Sequence, residues 1–247
     1  MLTGRFPHTL GIQSNLATTL DAHVRTHVFN KDVRKFGSSL EASLFDYNIP
    51  VSVYTRLVDD VNANLPTLHR YLRLRQKIMG LPSLGYEDLY APIVEQGMQL
   101  TLDAFAPLGP EYVEALRKGY ASRWVDFLPS TGKRPGAYST MVYGVHPYML
   151  LNYSDTLDSV FTLAHEMGHS MHTMLSEANQ PFVYSDYTIF VAEVPSTLSE
   201  MLFFDHMLVR TTDQRERIVL LQHAIDDIVG TFYRQCLFAD YELQAHR

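Results

Sequence analysis

The sequence predicts a mainly α protein with one small β element set just before its most informative helix. Three observations carry this. Apolar residues recur at steps of three and four through most of the chain. One central stretch switches to short runs rich in aromatic and branched residues. Helical spacing returns after Thr156 and continues to the last residue.

The elements follow in order. Thr18 to Lys35 reads as a helix, and Lys35-Phe36-Gly37-Ser38-Ser39 as a break. Ser38 or Ser39 then caps a short helix from Leu40 to Tyr47. After Pro50, the series Val51, Tyr54, Val58, Val61, Leu65, Leu68 and Leu72 forms the apolar stripe of a long amphipathic helix. Pro66 lies inside it and predicts a kink or break, and Gly80-Leu81-Pro82 ends it. Glu87 to Pro92 reads as a connector. Helices follow around Pro92–Phe105 and Pro110–Arg123, separated by the turn Pro107-Leu108-Gly109-Pro110. Residues 129–136 form the clearest loop. The runs Ala137–Tyr143 and Tyr148–Tyr153, divided by Gly144 and Pro147, predict a β-hairpin. Two regions of one continuous domain are expected, a helical region over 1–125 and the region carrying the motif below over 126–247.

Composition narrows the function classes. Of the 247 residues, 46% are apolar and 19% charged, which is ordinary for a folded protein and excludes wholesale disorder. A net charge of −7 argues against nucleic-acid partners and anionic membrane surfaces, both of which call for basic patches. No apolar run approaches the roughly 20 residues needed to span a bilayer. The first eight residues lack the apolar core of a secretory signal, and the one cysteine, Cys236, has no internal partner. The expected setting is cytoplasmic.

Residues 160–172 contain His165-Glu166-Met167-Gly168-His169. Residues four apart on a helix share a face about 6 Å apart along the axis, so the two imidazoles converge on one ion at zinc's ~2.0–2.1 Å bond length. Glu166 falls beside that ion, where it takes a proton from metal-bound water, the role it has in metallopeptidases. Two surface histidines around a solvated glutamate would give the same five letters. Against that stand Val160, Phe161, Leu163, Ala164, Met167, Met171 and Met174, which bury the helix on several sides. Polar groups buried there need a partner, and a metal satisfies all three. Histidine ligation favours zinc over manganese or cobalt without excluding them.

A catalytic zinc has three protein ligands and an open position. His172 is two turns from His165, too far to share one ion easily. Position 175 is Leu175 where a metzincin has histidine, and Ile189 stands where a thermolysin-like spacing wants glutamate. Glu193, 193 − 169 = 24 residues past the second histidine, is the better candidate, although a structural ion pair would also account for it. Glu200 lies two turns on along the same face. It is placed to orient a ligand histidine, or is simply a solvated carboxylate.

At these residues the chain resembles a known family. His165-Glu166-Met167-Gly168-His169-Ser170-Met171-His172 and Phe190-Val191-Ala192-Glu193-Val194-Pro195-Ser196 are similar to the oligoendopeptidase F branch of the M3 metallopeptidases. So are Leu65–Tyr71, Asp88–Pro92, Lys133–Tyr138 and His146-Pro147-Tyr148, so the likeness covers most of the chain. It implies a zincin-like fold around a deep channel that admits short peptides and excludes folded proteins. It further implies one Zn2+ held by His165, His169 and Glu193, with Glu166 as general base and acid. The hairpin beside the zinc helix would hold substrate backbone, with Gly136, Ala137 and Tyr138 at its edge. Members of the branch are longer at both ends, and their later part supplies a histidine and tyrosines that stabilise the oxyanion. This sequence therefore reads as the middle of such an enzyme, with Tyr143 and His146 the nearest local substitutes. Three readings stand: a zinc metalloendopeptidase acting on short peptides, a non-catalytic zinc-binding fragment of one, and a helical scaffold that binds no zinc.

Overall fold

The computed structural model describes residues 13–79 and 94–246. In chain order the elements are α1 (Gln13–Val33), α2 (Ser39–Phe45), α3 (Val51–Met79), α4 (Val94–Ala104) and α5 (Pro110–Ala121). They continue as β1 (Val125–Asp126), β2 (Tyr138–Met141), β3 (Pro147–Leu150), α6 (Leu157–Asn179), α7 (Ile189–Arg210), α8 (Gln214–Ile228) and α9 (Arg234–Ala245). A π-helical stretch, Val229–Tyr233, joins α8 to α9. The chain is mainly α, as expected. It divides into two compact units, Met1–Pro82 with Ile228–Arg247, and Ser83–Asp227. The boundary expected at 125/126 falls inside the second unit, because α4 packs on α6 and α7.

In the first unit, Ser38 caps α2 by accepting the N–H of Glu41 at 3.0 Å. α3 packs on α9 through buried Val58 and Val61, and Tyr54 donates its hydroxyl to the Ala239 carbonyl at 2.8 Å. No break occurs at Pro66, and the helix runs through it. Pro66 is on the exposed side, where water can satisfy the carbonyl that lost its donor. The expected terminator at Gly80–Pro82 and the connector at Glu87–Pro92 lie outside the described residues.

The second unit is built around α6. Thr156 caps it, accepting the N–H of Ser159 at 3.1 Å, and Asp158 adds a negative charge in the first turn. Val160, Leu163, Ala164, Met167 and Met171 are almost fully buried with Phe105, Leu116, Leu151 and Phe203. α7, α4 and the sheet cover its sides. The hairpin is present with shorter strands than expected, β2 pairing antiparallel with β3, and it gains a third strand. β1 runs parallel to β3, giving the order β1-β3-β2. Two residues carry no readable periodicity, so β1 was invisible in the sequence. It is held because Trp124 sits directly over Gly119, where a Cβ would lie 2.6 Å from the indole. Lys133 pins the 129–136 loop, its ammonium donating to the carbonyls of Asp126 and Leu128 at 3.1 and 2.7 Å.

Among the described residues no helix is long and apolar enough to cross a membrane.

Candidate metal centre

His165 and His169 project from one face of α6, while Glu193 comes from the second turn of α7. The two helices can cross closely only because position 168 is glycine. A Cβ there would lie 2.6 Å from the Pro195 carbonyl oxygen and 2.7 Å from Ser196 Cα. Pro195 interrupts the hydrogen-bond ladder of α7 without ending the helix.

The crossing brings three atoms together. His165 Nε2 and His169 Nε2 are 3.1 Å apart, and each lies 3.3 Å from Glu193 Oε2. Among the described residues, this is the group of three or more His, Cys, Asp or Glu side chains placed to share an ion. His165 Nδ1 lies 3.1 Å from Glu200 Oε1, so in the neutral ring Nδ1 carries the proton and Nε2 a bare lone pair. Ser196 donates its hydroxyl to Glu193 Oε2 at 2.8 Å. Three electron-rich atoms facing one another repel unless a cation sits among them. Ligands about 2.0–2.1 Å from a tetrahedral ion are separated by about 3.3 Å. The observed triangle fits zinc.

Glu166 is 6% exposed, and its Oε2 has no hydrogen-bond partner. The Ser139 backbone lies close enough to that carboxylate to lower its pKa, against the effect of burial. Burial pushes its carboxyl up to about 7, with His165 opposing that rise. Burial pulls His165 down, but the Glu200 hydrogen bond and charge, together with Glu166 and Glu193, leave it above its ordinary value. His169 is held below its ordinary value by burial, partly offset by Glu193.

His172 stays outside the triangle, stacked on Tyr187 with ring centroids 3.8 Å apart. Tyr143 is engaged elsewhere, its hydroxyl donating to the Gln180 carbonyl at 3.1 Å. His146 stacks on Trp124 and lies tilted against Tyr148. Gly136 adopts φ +92° and leads through Ala137 into Tyr138, the half-exposed first residue of the edge strand β2. Sequence reasoning missed Ser139, whose main chain lies near Glu166, and Asp227, which α8 brings near Glu200 and His165. Burial pushes the Asp227 carboxyl up to about 6, and Glu200 adds to the rise. No spacing signal would have found either.

The model of peptidase family M3 matches residues 8–247. The chain belongs to peptidase family M3. It is 41% identical to oligopeptidase PepF of Bacillus subtilis over 243 residues, which is 95% of this chain and 36% of that protein. To an oligoendopeptidase F homolog of Lactococcus lactis it is 39% identical, over 95% of this chain and 40% of the relative. The chain thus spans well under half the length of these M3 relatives. Among solved structures it resembles one from Chlamydophila abortus, with TM-score 0.78 and 37% identity over 94% of this chain and 40% of that one. Oligoendopeptidase-F from Enterococcus faecium gives TM-score 0.60 and 33% identity, over 94% and 35% of the two chains.

Proposed function

We propose that this chain carries the zinc centre and general base of a metalloendopeptidase that hydrolyses peptide bonds in short peptides. The observation that carries the reading is the 3.1–3.3 Å triangle of His165, His169 and Glu193, with a buried, unpartnered carboxylate oxygen of Glu166 beside it. Zinc bound there supplies Lewis acidity, polarising a carbonyl and acidifying a water. Glu166 Oε2 takes the proton of the attacking water and returns it to the leaving nitrogen as the C–N bond breaks, yielding a carboxylate and an amine. A carboxyl pushed up to about 7 suits both halves of that transfer. Gly136, Ala137 and Tyr138 lead the exposed edge, against which extended substrate would lie as an added strand. Glu200 holds the His165 ring in the tautomer and orientation that ligation needs. The net charge of −7 keeps nucleic acid out of the proposed partners, and the buried free thiol of Cys236 fits a reducing, cytoplasmic setting.

A second reading has its own support. On α7, Ile189, Phe190, Val194 and Leu198 are 51–69% exposed, a large apolar face for one helix. In that reading the chain binds zinc but cleaves only together with the rest of the family's length.

Hydrolysis of a mixed, internally quenched short-peptide library separates the two. Under the first reading the zinc-loaded chain cleaves the library, and the metal-free chain and His169→Ala do not. Zinc bound at one per chain without cleavage supports the second. Glu200→Gln should weaken zinc binding about 10- to 100-fold, measured by competition with a chromophoric chelator. Unchanged affinity would remove Glu200 from the centre.

A further inference from the structure

Of the three candidate ligands, Glu193 has the least support from its own element. His165 and His169 lie mid-way along a buried helix, whereas Glu193 sits in the opening turns of α7 with its side chain 64% exposed. Thr188, at the N-cap of α7, makes no side-chain capping bond. Pro195 has no N–H to give the Val191 carbonyl four residues before it. Ile189, Phe190 and Val194 are 60–69% exposed, so these turns gain little from apolar burial. Their placement has to come from what lies on either side.

On the far side, Pro195 and Ser196 pack against Gly168. On the near side, the segment entering α7 is fastened to α6 at three positions. Tyr187 stacks on His172, with ring centroids 3.8 Å apart and planes 24° from parallel. The Tyr187 hydroxyl lies 2.9 Å from Thr173 Oγ1. Ser176 Oγ donates to the carbonyl of buried Ser185 at 2.6 Å. His172 is three residues past His169, so the fastening begins one helical turn from a ligand.

We propose that Tyr187 is a positioning residue for metal binding, latching the start of α7 to α6 by its ring on His172 and its hydroxyl on Thr173 so that Glu193 meets the two imidazoles. Gly168 sets how closely the helices cross, and Tyr187 sets where the first turn of α7 begins. Glu193 is carried on the stretch held between them. His172 then serves the centre as the platform for Tyr187 and not as a ligand. This rests on the His165, His169 and Glu193 centre proposed above.

The test is zinc affinity, measured by competition with chromophoric chelators of graded strength and without substrate, so that it does not depend on hydrolysis. Tyr187→Leu removes both the stack and the hydroxyl and should weaken zinc binding about 10-fold. Tyr187→Phe keeps the stack and should weaken it about 3-fold, the worth of one hydrogen bond. Thr173→Val deletes the same bond from the other side, and the Tyr187→Phe/Thr173→Val pair should bind like either single variant. The comparison is then repeated in Glu193→Ala, where only the two imidazoles remain. Tyr187→Leu should change nothing further there, because it acts through Glu193, whereas a general loosening of α6 would weaken both backgrounds alike.

A circular-dichroism melt of each metal-free variant checks folding, and Tyr187→Phe carries the comparison should Tyr187→Leu unfold. The latch is overturned if both Tyr187 variants bind zinc as the parent does, or if either weakens binding equally with and without Glu193. A parent chain that binds no zinc overturns the centre itself, and the latch with it.

Discussion

Glu166→Gln is expected to retain one zinc per chain and to lose turnover by about 10²–10⁴-fold, the usual contribution of a positioned general base. The substitution keeps the shape of a side chain that is 6% exposed, so packing on α6 is preserved. It also leaves His165, His169 and Glu193 untouched, and so leaves the metal. What it removes is the ability of Oε2 to take a proton. That atom has no hydrogen-bond partner. Steady-state kinetics on a quenched peptide, with metal content measured on the same sample, makes the comparison. Wild-type turnover in the variant would place the base elsewhere, and loss of zinc would mean that Glu166 also shapes the metal site.

The second large effect is expected from a residue with no side chain. Gly168→Ala adds a methyl group where the helices cross, 2.6 Å from the Pro195 carbonyl oxygen and 2.7 Å from both Ser196 Cα and Ser199 Oγ. Two of those atoms are backbone, so a rotamer change cannot relieve the overlap and α7 must move. Overpacking of this kind costs about 1–3 kcal/mol. The displacement acts directly on Glu193, three residues before Ser196 on the same helix. A lower melting temperature of the metal-free chain is therefore expected, together with zinc binding weakened by about tenfold or more. Stability and zinc affinity both equal to wild type would mean that α6 and α7 do not need this contact to build the centre.

Glu193 shows how much of the centre was legible in the sequence. Its candidacy followed from chain spacing and a family resemblance, since His165 and His169 share a helix face but the third position lies on another helix. The angle and distance at which α7 crosses α6 are set by packing at Gly168 and Pro195, and no local periodicity encodes them. Glu200 was open between an orienting and a solvated role on sequence grounds, and the structure places it 3.1 Å from His165 Nδ1. Ser139 could not be read at all, because what brings its main chain near Glu166 is the register of β2 on β3.

The fold divides the same way. Helices with long apolar stripes were recognisable because their spacing is a local property, and α2 was recognisable from its cap. β1 was missed because two residues have no pattern of their own and are strand only through Trp124 and β3. At Pro66 the helix runs on without a break, since the proline lies on the exposed side. Position 125/126 falls inside the second unit because α4 packs on α6 and α7, contacts between residues far apart in the chain.

By itself, then, the amino-acid sequence determined the helices, the two imidazoles four residues apart and the glutamate between them. These depend on side chains one turn apart on a single element. The tertiary structure decided the closure of the His165, His169 and Glu193 triangle and the burial that pushes the Glu166 carboxyl up to about 7. Each of these depends on how separate elements pack, and that geometry exists only once the chain has folded.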